Sequence, residues 1–321
     1  MAARTKTSVG VIGLGSMGMG VARTLVARGF DAHGFDVRAE SLRAFARAGG
    51  TAHKTPASLA AACDVVIILV VNADQTSAVL FGKEGAAPAL RKGSVVIASA
   101  TVAPEFAIDL GERLAARGLL MIDAPVSGGA ARAAKGELSI MASGDKAAFR
   151  KADTVLKAIS AKVYRLGDTP GMGSKVKMIN QLLAGVHIAS ACEAIALGIR
   201  AGADPNVLYE VISNSAGSSW MFQNRVPHIL KGDYTPLSAV SIFVKDLGIV
   251  LDSAKKMTFP LPLTAAAHQL YLAAAGAGLS GEDDSAVIKV YQQQSGIALP
   301  AGKAGARKTA ARRRKAPVRK R

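Results

Sequence analysis

Lys177 is followed at i+3 and i+4 by Asn180 and Gln181, a spacing that puts an amine and two carboxamides on one face of a helix. No acid competes on that face, and the set suits proton transfer to or from an alcohol, with the amine exchanging the proton and an amide holding the hydroxyl. A free lysine is protonated at pH 7, so base catalysis requires surroundings that favour the neutral amine. A solvated surface lysine has the same local pattern, and the spacing does not decide which amide faces a substrate. A second segment, Asp123-Ala124-Pro125-Val126-Ser127-Gly128-Gly129, combines a hydroxyl with small residues that let backbone N–H groups approach a carboxylate, although an ordinary loop reads the same way. The third is Gly13-Leu14-Gly15-Ser16-Met17-Gly18. Its first glycine permits the turn, its second admits a pyrophosphate, and its third allows close helix–strand packing.

These groups work only if particular elements carry them. The apolar run Val9–Ile12 precedes the glycine turn, and helical spacing follows it through Met17–Arg28, so the turn joins a strand to a helix whose N-terminus faces an anion. Ala32–Phe35 leads to Asp36, 18 residues beyond Gly18, near the position of a carboxylate that accepts ribose hydrogen bonds. That favours NAD, because Asp36 repels a 2′-phosphate. Arg38 pulls the other way, since a guanidinium two residues on is able to swing over such a phosphate. Val65–Val71, Val95–Ala98 and Leu119–Ile122 read as further strands, and the unbroken apolar run of the first fits a strand covered on both faces. With helical stretches such as Pro104–Arg117 between them, the fold class is α/β, a Rossmann-type doubly wound parallel sheet. From 174 to 297 the pattern turns to long helical runs, and an all-helical domain is expected. The divisions read from the sequence are 1–166 for dinucleotide binding, 167–298 for substrate and dimerisation, and 299–321 as a tail.

Composition excludes several classes. Half of the 321 residues are apolar and 20% are charged, which fits neither a disordered nor a collagen-like chain. Cys63 and Cys192, the only two cysteines, build no disulfide framework and lie in no metal-ligand spacing, so no metal is expected and a reduced cytoplasmic setting is. The net charge is +17, but residues 301–321 hold ten cations and no acid, leaving +7 for residues 1–300. Such a tail buries too little apolar surface to order itself, and it is suited to nonspecific nucleic-acid contact through phosphate neutralisation. Met1–Ser8 runs into a strand-like segment without the apolar stretch and small-residue cleavage site of a secretory signal, so none is expected. The apolar stretch Val176–Ile199 contains Lys177, Asn180, Gln181, His187 and Glu193, which argues against a plain membrane span. Trp220 is expected to pack between helices, and Glu282-Asp283-Asp284 reads as a solvated helix start.

With Ser99-Ala100-Thr101-Val102-Ala103-Pro104, the Gly173–Gln181 helix start and Lys245-Asp246-Leu247 added to the two glycine segments, residues 8 to about 297 resemble the β-hydroxyacid dehydrogenase family. That family includes 3-hydroxyisobutyrate dehydrogenases and tartronate semialdehyde reductases, and the chain is most similar to its L-threonate dehydrogenase group. The resemblance implies NAD-dependent oxidation of a small hydroxy acid, L-threonate to 2-oxo-tetronate, with Lys177 as acid–base. It implies that Ser127, Gly128 and Gly129 hold the substrate carboxylate, that Asn180 or Gln181 positions the alcohol, and that Thr101 and Lys245 contact the nicotinamide half. Val70-Val71 stands where many relatives have Leu-Pro at a cofactor contact, and Ser99-Ala100-Thr101 replaces the commoner Ser-Thr. A homodimer or homotetramer is implied as well. The rival of another class is a nucleic-acid-associated protein acting through the basic tail.

Overall fold

The computed structural model describes residues 7–300; the basic tail expected to be disordered lies outside them. Residues fall into two compact units that divide between Ile179 and Asn180, inside one long helix.

Among the described residues the first unit is built on a nine-stranded sheet: β1 (Ser8–Ile12), β2 (Asp31–Phe35), β3 (Thr51–Ala52), β4 (Val65–Ile68), β5 (Val95–Ala98), β6 (Leu120–Asp123), β7 (Val126–Ser127), β8 (Leu138–Gly144) and β9 (Ser160–Gly167). The spatial order is β3-β2-β1-β4-β5-β6-β8-β7, with β9 paired to β8. Pairings from β3 through β6 are all parallel, as right-handed crossovers through helices produce. The helices are α1 (Ser16–Ala27), α2 (Ala39–Arg47), α3 (Pro56–Ala61), α4 (Ala73–Phe81), α5 (Pro104–Ala115), α6 (Gly129–Ala133) and α7 (Lys146–Ile159). Alternation along β4 explains its continuous apolar run: Val65 and Ile67 join a core with Leu25, Phe45 and Phe149, while Val66 and Ile68 join another with Leu59, Leu80 and Leu114. Each such fully buried side chain contributes about 1.5–3 kcal/mol.

Three features depart from the sequence reading. The strand expected over Val65–Val71 ends at Ile68, because the chain then turns and Asn72 caps α4 by accepting from the Gln75 N–H at 2.8 Å. The final strand of the parallel set runs Leu120–Asp123, one residue later than expected. Beyond it the sheet is mixed: β8 runs antiparallel to β6 and β7, and β9 pairs parallel to β8.

The second unit is helical among the described residues. The long helix α8 (Met172–Arg200) leads into it, followed by α9 (Pro205–Ser213), α10 (Trp220–Lys231), α11 (Val240–Lys256), α12 (Pro262–Ala274) and α13 (Ile288–Ser295). By length and composition alone α8 is able to cross a membrane, with a mean hydropathy of 1.8 over its most apolar window, so the polar residues noted above do not exclude a span. One face of it packs into the helical core, where Ile188, Cys192 and Ile195 are buried with Phe222, Phe243 and Tyr271.

The reading of Asp283 and Asp284 as solvated is overturned, since both are fully buried. Arg225, itself buried on α10, donates from Nε to Asp284 at 2.5 Å, and Asp283 accepts from Ser285 Oγ at 2.6 Å and from the Leu237 N–H at 3.0 Å. A buried cation recruits the acids that composition alone would leave in water. Glu193 pairs helices by accepting from Tyr291 Oη at 2.6 Å.

Candidate active site

In the first unit, the candidate residues follow the carboxyl ends of adjacent parallel strands, the edge at which open α/β sheets bind ligands. Gly13–Gly18 follows β1, Asp36 follows β2, Val70 and Val71 follow β4, Thr101 follows β5, and Asp123–Gly129 begins at the end of β6. Because β2, β1, β4, β5 and β6 are consecutive neighbours, these turns form one row.

Gly13 holds φ +94°, and a Cβ there would stand 2.6 Å from the Leu69 carbonyl oxygen. A Cβ on Gly18 would meet the Gly13 carbonyl oxygen at 1.8 Å, so neither position admits a side chain. At Gly15, by contrast, the nearest atom to a Cβ is Arg38 Nη2 at 3.9 Å. The turn is therefore closed against the protein at its first and third glycines and open at its second. Those residues fit a dinucleotide pyrophosphate, with Leu14, Ser16 and Met17 completing the turn into α1. Val70 and Val71 lie at the same turn: a Cβ on Gly13 would also meet Val70 N at 3.1 Å, and Val71 is 48% exposed.

Asp36 accepts from the Leu14 N–H at 2.7 Å, from the Arg38 N–H at 2.9 Å and from Arg38 Nε at 3.1 Å. Burial raises its carboxyl, but the hydrogen bonds from Arg38 and Leu14 and the guanidinium charge outweigh that, and the group titrates below the usual carboxylate range.

Ser127 ends β7, and Gly128 (φ +134°) and Gly129 (φ +71°) follow it. Two successive positive φ values are a turn that glycine adopts readily, and the absence of side chains at both positions leaves the backbone N–H groups open to an anion.

Asp123 is a buried carboxylate that the motif reading passes over as part of a loop. It is 1% exposed, and its Oδ2 accepts from the Gly171 N–H at 2.9 Å and the Ser174 N–H at 2.8 Å, while Oδ1 accepts from Ser174 Oγ at 2.7 Å. Ser143 Oγ accepts from the Gly173 N–H at 3.0 Å. The first turn of α8 is thus tied to the end of β6 by a carboxylate that takes the place of a helix cap. Burial pushes the Asp123 carboxyl up, and the bonds from Ser174, Gly171 and Ser143 offset only part of that. One turn further on stands Lys177, only 7% exposed.

Asn180 and Gln181 begin the second unit. Gln181 Nε2 donates to Asp246 Oδ2 at 2.5 Å, and Gln181 Oε1 accepts from Asn180 Nδ2 at 3.0 Å. Both ends of the Gln181 amide are therefore engaged inside the protein, and Asn180 keeps its Oδ1. Asp246, 2% exposed on α11, also accepts from Lys245 Nζ. This buried carboxylate is a second residue that the spacing gave no sign of, since it meets Gln181 65 positions away. Trp220, expected between helices, is instead 57% exposed at the start of α10.

The same segments are those that known proteins share. Residues 8–167 match the family described as the NAD binding domain of 6-phosphogluconate dehydrogenase, and residues 171–291 match that described as the NAD-binding domain of NADP-dependent 3-hydroxyisobutyrate dehydrogenase. An L-threonate dehydrogenase of Cupriavidus necator is 64% identical over 297 residues, covering 92% of this chain and 99% of that protein. The chain belongs to the 3-hydroxyisobutyrate dehydrogenase-related family. It is an NAD-dependent hydroxyacid dehydrogenase. Within this family, an L-threonate dehydrogenase of Escherichia coli K12 is 48% identical over 304 residues, 94% of this chain and 100% of that one. A crystal structure of a 3-hydroxyisobutyrate dehydrogenase from Salmonella typhimurium superimposes with a TM-score of 0.85 at 49% identity, covering 89% of this chain and 100% of that one.

Proposed function

We propose that this dehydrogenase oxidises L-threonate at C2 to 2-oxo-tetronate, prefers NAD to NADP, and uses Lys177 to exchange the hydroxyl proton. The observation that carries the reading is the burial of Lys177 one turn beyond a helix start that Asp123 ties to the ligand-binding edge of the sheet. NAD, when bound, supplies the hydride acceptor. Lys177 Nζ takes the proton as the C2 hydroxyl becomes a carbonyl, and its ammonium returns the proton in the reducing direction. Ser127 and the N–H groups of the Gly128-Gly129 turn take the carboxylate, which fixes the hydroxyl next to it for reaction. Asn180 Oδ1 accepts from a substrate hydroxyl, Gln181 holds the Asn180 amide, and Thr101 and Lys245 contact the nicotinamide half. Asp36 supports NAD through its depressed titration, since a carboxylate that stays ionised accepts from ribose hydroxyls and repels a 2′-phosphate. The names of the relatives at 48–64% identity support threonate as substrate.

The apolar residues exposed on the helical unit, among them Leu183, Leu197, Val207 and Leu263, support a homodimer or homotetramer. Free, buried Cys63 and Cys192 support a reducing, cytoplasmic setting. Nonspecific nucleic-acid contact through the ten-cation tail is a separable property that deletion of residues 301–321 removes without loss of turnover.

The test is NAD reduction across a panel of C3 and C4 hydroxy acids. L-threonate is expected to give a kcat/KM about tenfold or more above the others, because each well-placed polar contact is worth roughly that factor. A higher value for 3-hydroxyisobutyrate, or for reduction of tartronate semialdehyde, assigns the enzyme to those substrates instead.

A further inference from the structure

Beside the Ser127-Gly128-Gly129 turn stands a cation that no motif marks. The helix after the turn, α6, is five residues long, too short to persist alone, and α1 holds it in place. Thr24 Oγ1 on α1 donates to the carbonyl oxygens of Ala133 at 3.1 Å and Ala134 at 3.2 Å, at the end where helical carbonyls run short of partners. Gly20 lets the two helices close up, since a Cβ there would stand 2.8 Å from the Ala134 nitrogen. On this anchored helix Arg132 lies one turn after Gly128, and a helical side chain leans back over the turn before it. Its Cβ, Cγ and Cδ lie 2.9, 3.4 and 2.9 Å from where a Cβ on Gly128 would stand, so the missing side chain at 128 makes room for the arginine stem. The guanidinium carbon is two bonds beyond Cδ, about 2.5 Å, which keeps the charge within roughly 5–6 Å of that point. Arg132 is exposed, and between Asp123 and Glu137 the chain has no acid to neutralise it.

We propose that Arg132 is a specificity-determining residue: its charge, held over Gly128, makes the Ser127-Gly128-Gly129 turn select anionic substrates over neutral alcohols. The inference rests on that turn being the carboxylate site. Backbone N–H groups and a hydroxyl bond to any acceptor oxygen, that of a neutral amide included, whereas a full charge at this distance favours the ionised acid. Because the head group is exposed, salt screens its attraction.

The experiment is steady-state NAD reduction with the preferred hydroxy acid of the panel, at low and high salt, for the wild type, Arg132→Gln, Arg132→Lys and Ser127→Ala. Butyrate and butyramide serve as competitive inhibitors that lack the reacting hydroxyl and differ in charge. Arg132→Gln keeps most of the stem and removes the charge. It is expected to raise KM and the butyrate inhibition constant together by about three- to tenfold, with kcat and the butyramide constant within about twofold of the wild type. That factor shrinks towards one at about 1 M salt, where the screening length is about 3 Å. Arg132→Lys is expected to stay within about twofold of the wild type throughout. Unchanged KM and butyrate constants in Arg132→Gln, equal weakening of butyramide, or a lysine variant as weak as the glutamine one overturns the proposal. Ser127→Ala separates the two levels of the argument. If it too leaves the butyrate constant unchanged, the carboxylate reading of the turn fails and the proposal with it; if it weakens butyrate while Arg132→Gln does not, the turn stands and the role of Arg132 alone is refuted.

Discussion

Replacing Asp123 by alanine isolates the tie between the sheet and the start of α8. The substitution removes the acceptor of two backbone N–H groups, Gly171 and Ser174, and of the Ser174 hydroxyl, all within 2.9 Å. The hydroxyl is able to rotate to another partner, but the two N–H groups are buried with no alternative. At about 1–3 kcal/mol for each unsatisfied buried donor, the cost is roughly 2–6 kcal/mol. In a unit of this size that lowers Tm by about 5–20 °C. Asp123→Asn keeps an acceptor for both N–H groups, with Ser174 Oγ turning to accept from the new amide, so about 1–2 kcal/mol is expected. Turnover should fall in the same order, because a displacement of Lys177 by about 1 Å costs on the order of a hundredfold in rate. The assay is thermal unfolding together with kcat and calorimetric NAD binding. NAD affinity is expected to hold within about threefold, since the glycine turn does not depend on this carboxylate. Alanine at 123 with unchanged Tm and unchanged kcat refutes the reasoning.

Two further substitutions probe the helical unit. Asp246→Ala removes the acceptor of Gln181 and Lys245 and should cost about 2–4 kcal/mol in stability and at least tenfold in kcat/KM, while Asp246→Asn recovers part of both; equal kinetics for all three proteins would show that Gln181 is not held from behind. Burial pushes the Asp284 carboxyl up to about 6 despite its bonds to Arg225. The folded state thus holds that proton more tightly than the unfolded chain, and the contribution to stability is full below about pH 4 and lost as pH rises through 6, at most about 3 kcal/mol. Denaturant unfolding of the wild type minus that of Asp284→Asn should accordingly fall between pH 4 and 6 and level off above 7, whereas a difference that climbs over this window contradicts the sign.

Much of the first unit is legible in the chain because short apolar runs and glycine turns alternate there, and Gly13–Gly18 with Asp36 stands at the positions that such spacing implies. The later strands are harder to read. Ser139 and Ser143 interrupt the apolar run of β8, and β9 exposes Lys162, Tyr164 and Arg165, as a lightly covered strand does. The buried charges are the least legible of all. Asp123, Asp246 and Asp284 each meet a partner 48 to 65 positions away, and a carboxylate in isolation reads as solvated until the cation or the N–H group that claims it is in place. For the same reason the spacing of Asn180 and Gln181 left their roles open, and only Asp246 separates them.

The central claim is that the Lys177 amine carries the substrate proton, and its most direct test is turnover of Lys177→Ala with and without added primary amines. A loss of about 10²–10⁴ in kcat, partial recovery with amines and NAD affinity close to that of the wild type are the predicted result. Turnover within about tenfold of the wild type, with no response to amines, would contradict it.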